Sequence, residues 1–289
     1  MEINLLGPAI LFGFSDGCIF FLVSIGLSLC FGLMRIISLD QCAYYLLGAY
    51  ITYSVTLATG SFWLGILVTI GLVALLGLGV ERVIYKNIYS KPITYTMIVS
   101  FGFLLFIIGV TKFIWGLSPI PVKAPINGSS ALIGVDFPNY RIFIIIITFV
   151  IYLLISYFLN KTIVGKAIRA GIEDMEKVES LGINGYKLFK ITFVISCVLS
   201  SLGGAFHGPL IMVEPYIGMS ILLYMFITAV LGGLGSLKGT MVAAIIIGEV
   251  MSLGSIVWPP STIILPFLIF IIVLMIKPTG LFGTKLLKR

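Results

Sequence analysis

The sequence predicts an all-α protein that crosses a lipid bilayer many times, and its composition and the length of its apolar runs carry the prediction. Of the 289 residues, 60% are hydrophobic and only 10% are charged, whereas a soluble domain carries roughly 25% charged residues. Such a chain cannot cover a water-exposed surface, and its mean hydropathy of +1.19 indicates that lipid is its solvent. Apolar runs long enough to span a bilayer do so as helices.

Nine apolar runs are predicted as membrane segments, which gives a polytopic helical bundle with about 8–10 transmembrane segments. The first run contains Asp16 and Gly17, so a break within it is one alternative. The short second and seventh runs are alternatives as partial or re-entrant segments. We expect residues 1–289 to form a single transmembrane domain. The predicted spans are 8–33, 42–58, 62–80, 94–115, 141–159, 190–213, 218–236, 240–257 and 261–276.

The basic residues lie in alternate gaps between these runs, and their distribution predicts the orientation of the chain. Of the 18 Lys and Arg residues, only Lys112, Lys123 and Arg141 lie on the side predicted to be external. Because basic residues favour cytoplasmic loops, the N-terminus is predicted outside and the C-terminus in the cytoplasm. This distribution explains the net charge of +7, so no nucleic-acid partner is expected. The external loop 116–140 is rich in proline and predicts turns and extended chain.

Residues 160–187 form the one long polar stretch and predict one or two amphipathic cytoplasmic helices that end at Gly182. Apolar residues recur within it every three or four positions and form a stripe. Two interpretations remain open from this periodicity. The stripe packs against the protein's own membrane region or lipid headgroups, or it docks into a groove on another subunit. The stripe consists of Ile168, Ile172, Met175, Val178 and Leu181.

Several motifs resemble those of the permeases of the branched-chain amino acid ABC importer family. Residues 165–184, which begin GKAIRA and end LGIN, are similar to the loop by which these permeases contact their ATPase. Residues 230–240, VLGGLGSLKGT, are similar to the family's glycine-rich turn, and residues 277–283, KPTGLFG, to its C-terminal motif. Gly48-Ala49-Tyr50 also agrees. The resemblance covers the chain from about residue 17 to 283.

The resemblance implies a permease subunit of a bacterial inner-membrane importer for branched-chain or other hydrophobic amino acids. It also implies a second permease, in a homodimer or heterodimer, an external solute-binding protein and two cytoplasmic ATPases that hold ATP and Mg. No phosphate-binding loop occurs in this chain, so we expect no enzymatic activity and no cofactor bound to it. The residues implied in coupling to the ATPase are Gly165, Arg169, Ala170, Ile172, Glu173, Asp174 and Gly182.

One segment departs from the family's pattern and leaves the substrate open. The family usually shows N-F-A-H-G near its translocation path, where this chain has Ser38-Leu39-Asp40-Gln41-Cys42. Urea, a short amide or another small solute is therefore an alternative substrate. From a different class, the chain could be an ion-coupled secondary transporter that uses Asp16 or Glu249. A passive channel is a third class, which leaves the amphipathic segment unexplained.

Ionisable side chains at membrane depth are further candidates, because each costs roughly 2.5–3.5 kcal/mol on insertion scales. Asp16 is assigned to the translocation path together with Ser38, Asp40 and Gln41. Asp40 could meet the ammonium of an amino acid or form a structural pair with Arg35. The remaining intramembrane polar candidates are His207, which lacks a carboxylate at helical spacing, and Glu249, which we expect at a helix–helix or subunit contact. No spacing of Cys and His predicts a metal site.

Overall fold

The computed structural model describes residues 6–89, 91–132 and 135–283, and in these ranges the chain forms eleven α-helices, two short 3-10 helices and four short strands. Nine apolar helices follow one another in the predicted order, with two short helices between the fifth and the sixth of them. The helices are α1 Leu6–Met34, α2 Gln41–Thr59, α3 Phe62–Val83, α4 Ile93–Trp115, α5 Asn139–Lys161, α6 Ile163–Glu173, α7 Met175–Ser180, α8 Gly185–His207, α9 Ile217–Gly232, α10 Leu237–Val257 and α11 Ser261–Ile276.

The predicted polytopic helical bundle is confirmed, and two details of the prediction change. Six helices, α1, α3, α4, α5, α8 and α10, are long and apolar enough to cross a membrane. Helix α1 is continuous over 29 residues, so the suggested break at Asp16 and Gly17 is wrong. Helices α9 and α11 have 16 residues each, which corresponds to about 24 Å at the α-helical rise and is shorter than a bilayer core.

Helix α1 lies at the centre of the bundle and is buried over most of its length, whereas α3, α4 and α5 lie at the periphery. Its contact with α10 depends on small residues. A Cβ atom added at Gly17 would lie 2.8 Å from the carbonyl oxygen of Ala244, and one added at Gly248 would overlap the Gly13 carbonyl. Lipid tails are as apolar as the helices, so no hydrophobic effect drives helices together within a membrane. Close packing of backbones at small residues stabilises their association instead.

Helices α2 and α8 pack equally closely, and this contact gives a stability prediction. A Cβ atom at Gly204 of α8 would overlap the carbonyl oxygen of Tyr45 on α2. We expect Gly204→Ala to lower the stability of the detergent-solubilised protein by about 1–3 kcal/mol, because the two backbones must separate. The matched control is Gly102→Ala on α4, where nothing lies within 4 Å of the added atom. Thermal unfolding should show a lower Tm for Gly204→Ala alone, and equal Tm values would contradict the contact.

The loop 116–140 contains a strand hairpin and one strand of a second antiparallel pair, in agreement with the extended structure expected from its prolines. Strands β2 (Ser129–Leu132) and β3 (Val135–Pro138) form a hairpin. Strand β1 (Ile120–Pro121) pairs with β4 (Met212–Val213), which follows α8 in the chain. The loop is therefore tied to the end of the bundle where α1 begins, and the ring of Phe137 packs against that of Phe12.

Candidate functional site

The polar stretch 160–187 forms two helices, as its periodicity predicts. Thr162 caps α6, because its hydroxyl accepts a hydrogen bond of 3.0 Å from the Gly165 N–H. Asp174 ends α6 and caps α7 by accepting a hydrogen bond of 3.3 Å from the Lys177 N–H. Gly182, with φ +81°, follows α7 in the left-handed region. The expected end of the segment at Gly182 is confirmed, because glycine adopts this conformation without steric cost.

The apolar stripe of this segment is partly covered by the protein's own helices. Ile168 is 1% exposed and Val178 is 3% exposed, while Ile172 packs against Gly32 at the end of α1. Leu181 alone of the stripe is exposed. Ile168 and Val178 therefore pack within this chain, whereas Ile172 and Met175 are partly exposed. Docking of the stripe into another subunit stays a prediction.

The residues implied in coupling divide into an outward and an inward group. Gly165 and Ile172 face inward, and a Cβ atom at Gly165 would overlap the Phe158 carbonyl oxygen of α5. Gly165 therefore positions α6, whereas Ile172 is partly exposed and lines a cleft together with Arg169. The coupling role of both residues stays a prediction. The outward group consists of Arg169, Ala170, Glu173 and Gly182, which are exposed, and Asp174, which is partly exposed.

We call the exposed polar side of α6 and α7 the coupling surface. Its exposed residues are Lys166, Arg169, Ala170, Glu173, Glu176 and Lys177. The Arg169 guanidinium donates a hydrogen bond to the Asn160 side chain near the end of α5. Lys177 forms an ion pair of 3.1 Å with Asp174. A cleft of about 510 Å³ adjoins this surface, and Arg169, Glu173 and Lys238 are among the residues that line it.

The three motifs that are far apart in the sequence meet at this end of the bundle. The Leu281 N–H donates a hydrogen bond of 2.8 Å to the Leu231 carbonyl, which joins the C-terminal motif to the glycine-rich turn. Gly235 in that turn has φ +87° and lies against both Gly32 and Ile172. Helix α6 therefore rests on α1 and on the turn that starts α10. Sequence reasoning missed this convergence, although the density of glycines in 230–240 and 277–283 was a signal for close backbone contacts.

Ser38, Asp40 and Gln41 belong to a fully buried polar cluster between α1, α2 and α8. The Ser38 hydroxyl donates a hydrogen bond to the Asp40 carboxylate. Gln41 donates one of 3.2 Å to Ser38 and accepts one of 2.9 Å from Ser200 of α8. Arg35 is exposed, and the described ion pairs do not include one between Arg35 and Asp40. The suggested structural pair is thus wrong, because Arg35 points away from the cluster.

Asp16 and His207 both have partners within the chain. Asp16 forms an ion pair of 2.6 Å with Arg141 of α5, whose guanidinium lies 4.6 Å from the centre of the Phe12 ring. His207 Nδ1 lies 2.5 Å from the Tyr45 hydroxyl oxygen. Asp16 therefore ties the centre of the bundle to α5, and His207 ties α8 to α2.

The Asp16–Arg141 ion pair gives a second stability prediction. We expect Asp16→Asn and Arg141→Gln each to lower the Tm, because each leaves a partly buried charge without its partner. The double variant should lose less than the sum of the two, with a coupling energy of about 0.5–3 kcal/mol. Thermal unfolding of the four proteins measures this cycle, and strictly additive effects would show that the pair does not stabilise the fold.

Glu249 lies at a helix–helix contact, as expected from the sequence. A Cβ atom added at Gly13 of α1 would lie 2.8 Å from the Glu249 Cα and 3.0 Å from its Oε2. The Glu249 side chain is nevertheless only partly buried. It therefore packs over α1 on one side and remains accessible on the other.

Nine apolar helices with two short amphipathic helices at one end place the protein in the class of multi-pass helical membrane proteins. The model of the family described as branched-chain amino acid transport system, permease component, matches residues 9–274. The chain belongs to this family of permeases, which confirms the resemblance seen in its motifs. Members of this family are membrane subunits of transport systems and not enzymes.

Similar proteins agree with this family over nearly the whole chain. The high-affinity branched-chain amino acid transport system permease protein LivH of Salmonella typhimurium is 26% identical, and the alignment covers 94% of this chain and 93% of LivH. LivH of Escherichia coli K12 is 27% identical, with the same two coverages. BraD of Pseudomonas aeruginosa, which has the same descriptive name, is 27% identical, with 94% of each chain covered.

A solved structure has a similar fold. The structure described as PsaBC from Streptococcus pneumoniae in complex with Fab matches with a TM-score of 0.53 and 17% sequence identity. The match covers 97% of this chain and 95% of the other. At this identity, the likeness shows the arrangement of helices.

Proposed function

We propose that this permease moves branched-chain or other hydrophobic amino acids across a bacterial inner membrane as part of an ATP-driven importer. The family and the names of the LivH and BraD relatives support the substrate class. The observation that supports the coupling role is that α6 packs closely against α1 and α5 while its polar side remains exposed. This polar side is open to contact by another protein because Arg169, Ala170 and Glu173 are exposed.

The proposed assembly contains this chain as one permease domain of residues 1–289, a second permease, two ATPases and an external solute-binding protein. ATP and Mg bind the ATPases, and this chain binds neither. The coupling surface and the C-terminus face the cytoplasm. Several of the connections that carry Lys and Arg support this orientation, because they lie at the same end of the bundle as α6. Lys86 lies 5.7 Å from the Tyr186 ring at the start of α8, and Lys238 lines the cleft beside Arg169.

In the proposed mechanism, closure of the ATPases moves α6, and α6 transmits this movement to α1. A Cβ atom at Gly171 of α6 would lie 2.7 Å from Leu33 Cδ1, so α6 and the end of α1 are in direct contact. Close-packed interiors transmit displacement because they have little free volume. Helix α1 then carries the movement through the bundle to α10, against which it packs through Gly13 and Gly17.

The assignment of Asp16, Ser38, Asp40 and Gln41 to the path stays a prediction. Ser38, Asp40 and Gln41 are fully buried in this conformation, so they line a path only after α1 and α2 separate. Asp16 borders a cleft with Ser252 of α10, but its charge is balanced by Arg141.

Gentle purification of the tagged chain from its native membrane tests the proposed function. We expect an ATPase and a second permease to co-purify, and the complex to take up leucine in proteoliposomes only with ATP and the binding protein. Parallel uptake of urea separates the alternative substrate class. Uptake by the isolated chain that follows an imposed ion gradient would instead identify a secondary transporter, and gradient-independent flux would identify a channel.

A further inference from the structure

Helix α10 has one side that the described residues leave partly exposed, and Glu249 lies at the edge of this side, next to its contact with Gly13 of α1. The helix packs against α1, α9 and α11. Residues at helical spacing on its remaining side are partly or fully exposed, namely Val242, Ile246, Glu249, Leu253 and Val257. Positions spaced by three or four residues share one side of a helix. Glu249 is therefore a carboxylate within an otherwise aliphatic stripe.

The depth of Glu249 makes lipid an unsuitable neighbour for it. It lies 12 residues after Leu237 and eight residues before Val257, the two ends of α10. At 1.5 Å per residue, the nearer end is about 12 Å away, which a glutamate side chain does not reach. A charged group at such a depth in hydrocarbon is costly, and such groups face water-filled cavities or partner groups. The exposed side of Glu249 therefore faces water or protein.

Glu249 differs from Asp16 and Asp40, the two carboxylates assigned to the path from the sequence. Asp16 is balanced by Arg141, and Asp40 is enclosed in the buried cluster with Ser38. Among the residues that the structure describes, Glu249 has no ion pair with a basic side chain, and α10 after Lys238 contains no Lys or Arg. Its carboxylate is thus accessible and lacks a cation within the described part of the chain.

We propose that Glu249 lines the substrate path and that its carboxylate binds the α-ammonium group of the amino acid in transit. This proposal rests on the proposed function. A zwitterionic substrate brings a cation to a carboxylate that lacks one, and the path brings the water that the charge requires. Ile246 and Leu253, one turn to either side, offer aliphatic surface to the substrate's side chain. The exposed side of α10 then faces the second permease across the path.

Thiol labelling of the assembled importer tests whether this side of α10 meets water. Cysteine is introduced singly at Ile246, Glu249 and Leu253, and the four native cysteines give little background because all are buried. We expect Glu249→Cys to react with a membrane-impermeant cationic thiol reagent. Leucine should slow the reaction of Ile246→Cys or Leu253→Cys, which keep the carboxylate, at least about threefold. The matched control is Ile271→Cys on α11, which is 55% exposed on an apolar helix. In lipid it should not react with this reagent.

Transport by charge variants tests whether Glu249 binds the ammonium. We expect Glu249→Gln to raise the leucine concentration for half-maximal uptake at least about tenfold without loss of complex assembly. Glu249→Asp should recover part of this loss, because it keeps the charge. Normal uptake by Glu249→Gln would overturn the proposal. So would a Glu249→Cys that is inert to the reagent but crosslinks to the second permease, since the residue would then lie in a dry interface.

Leucine uptake by the unmodified complex, measured in parallel, distinguishes failure of the proposed function from failure of the proposed role of Glu249. Failure of that complex to take up any amino acid would overturn the proposed function. Normal leucine uptake by that complex, together with an inert Glu249→Cys, would overturn only the role of Glu249.

Discussion

Replacement of Arg169 by Glu is expected to reduce ATP-driven uptake at least about tenfold and to weaken retention of the ATPase during purification. Arg169 is exposed on the coupling surface and hydrogen-bonded to Asn160. The substitution changes the local charge by two units and adds a carboxylate one helical turn from Glu173. Reversal of a charge at a complementary interface brings like charges together, which costs several kcal/mol. Co-purification and uptake in proteoliposomes measure the two effects.

The matched control for Arg169→Glu is Lys91→Glu. Lys91 is also exposed and lies outside α6 and α7, in the connection between α3 and α4. It undergoes the same change of charge, so it reports the effect of net charge on assembly and orientation. We expect near-normal uptake from this variant. Full ATPase retention and normal uptake by Arg169→Glu would show that α6 does not contact the ATPase.

A second large effect is expected from Gly165→Val, which should separate ATP hydrolysis from transport. Any Cβ atom at Gly165 would overlap the Phe158 carbonyl oxygen and lie 2.6 Å from the Leu159 Cα. Helix α6 must therefore move away from α5, at a cost of about 1–3 kcal/mol. The coupling surface itself is unchanged, so we expect the complex to assemble and hydrolyse ATP while uptake falls at least about tenfold. ATP hydrolysis and uptake are measured in the same proteoliposomes.

The matched control for Gly165→Val is the same substitution at Gly79. Gly79 is exposed in α3, and nothing lies within 4 Å of a Cβ atom added there. This variant introduces the same valine into a helix but creates no steric overlap, so the ratio of uptake to ATP hydrolysis should remain normal. An unchanged ratio of uptake to hydrolysis in Gly165→Val would mean that the contact of α6 with α5 does not transmit movement.

The coupling segment shows where local sequence patterns stop being informative. The periodicity of 160–187 and the glycine at 182 predicted one or two short helices, and two helices are present. The same periodicity could not tell whether the apolar stripe meets this chain or another one, because either partner offers an apolar surface. The packing of Ile172 within this chain depends on Gly32 and Gly235, which lie far from the segment in sequence and leave room for it.

The polar residues at membrane depth show the same limit. Each was identifiable as a candidate, since a charge in an apolar run is conspicuous. Their partners were not identifiable, because Arg141 lies 125 positions from Asp16 and Ser200 lies 159 positions from Gln41. The suggested pairing of Asp40 with Arg35 relied on proximity in sequence, and the exposed position of Arg35 rules it out.

The sequence by itself determined that the protein is a multi-pass helical bundle, where its nine apolar segments lie and which permease family it belongs to. These properties follow from apolar content, periodicity and short motifs, all of which are local. The tertiary structure alone decided that α1 is central, that three distant motifs meet beside α6 and that Glu249 lies at the edge of a partly exposed side of α10. Such contacts depend on how closely backbones approach, which the positions of glycines permit but do not specify.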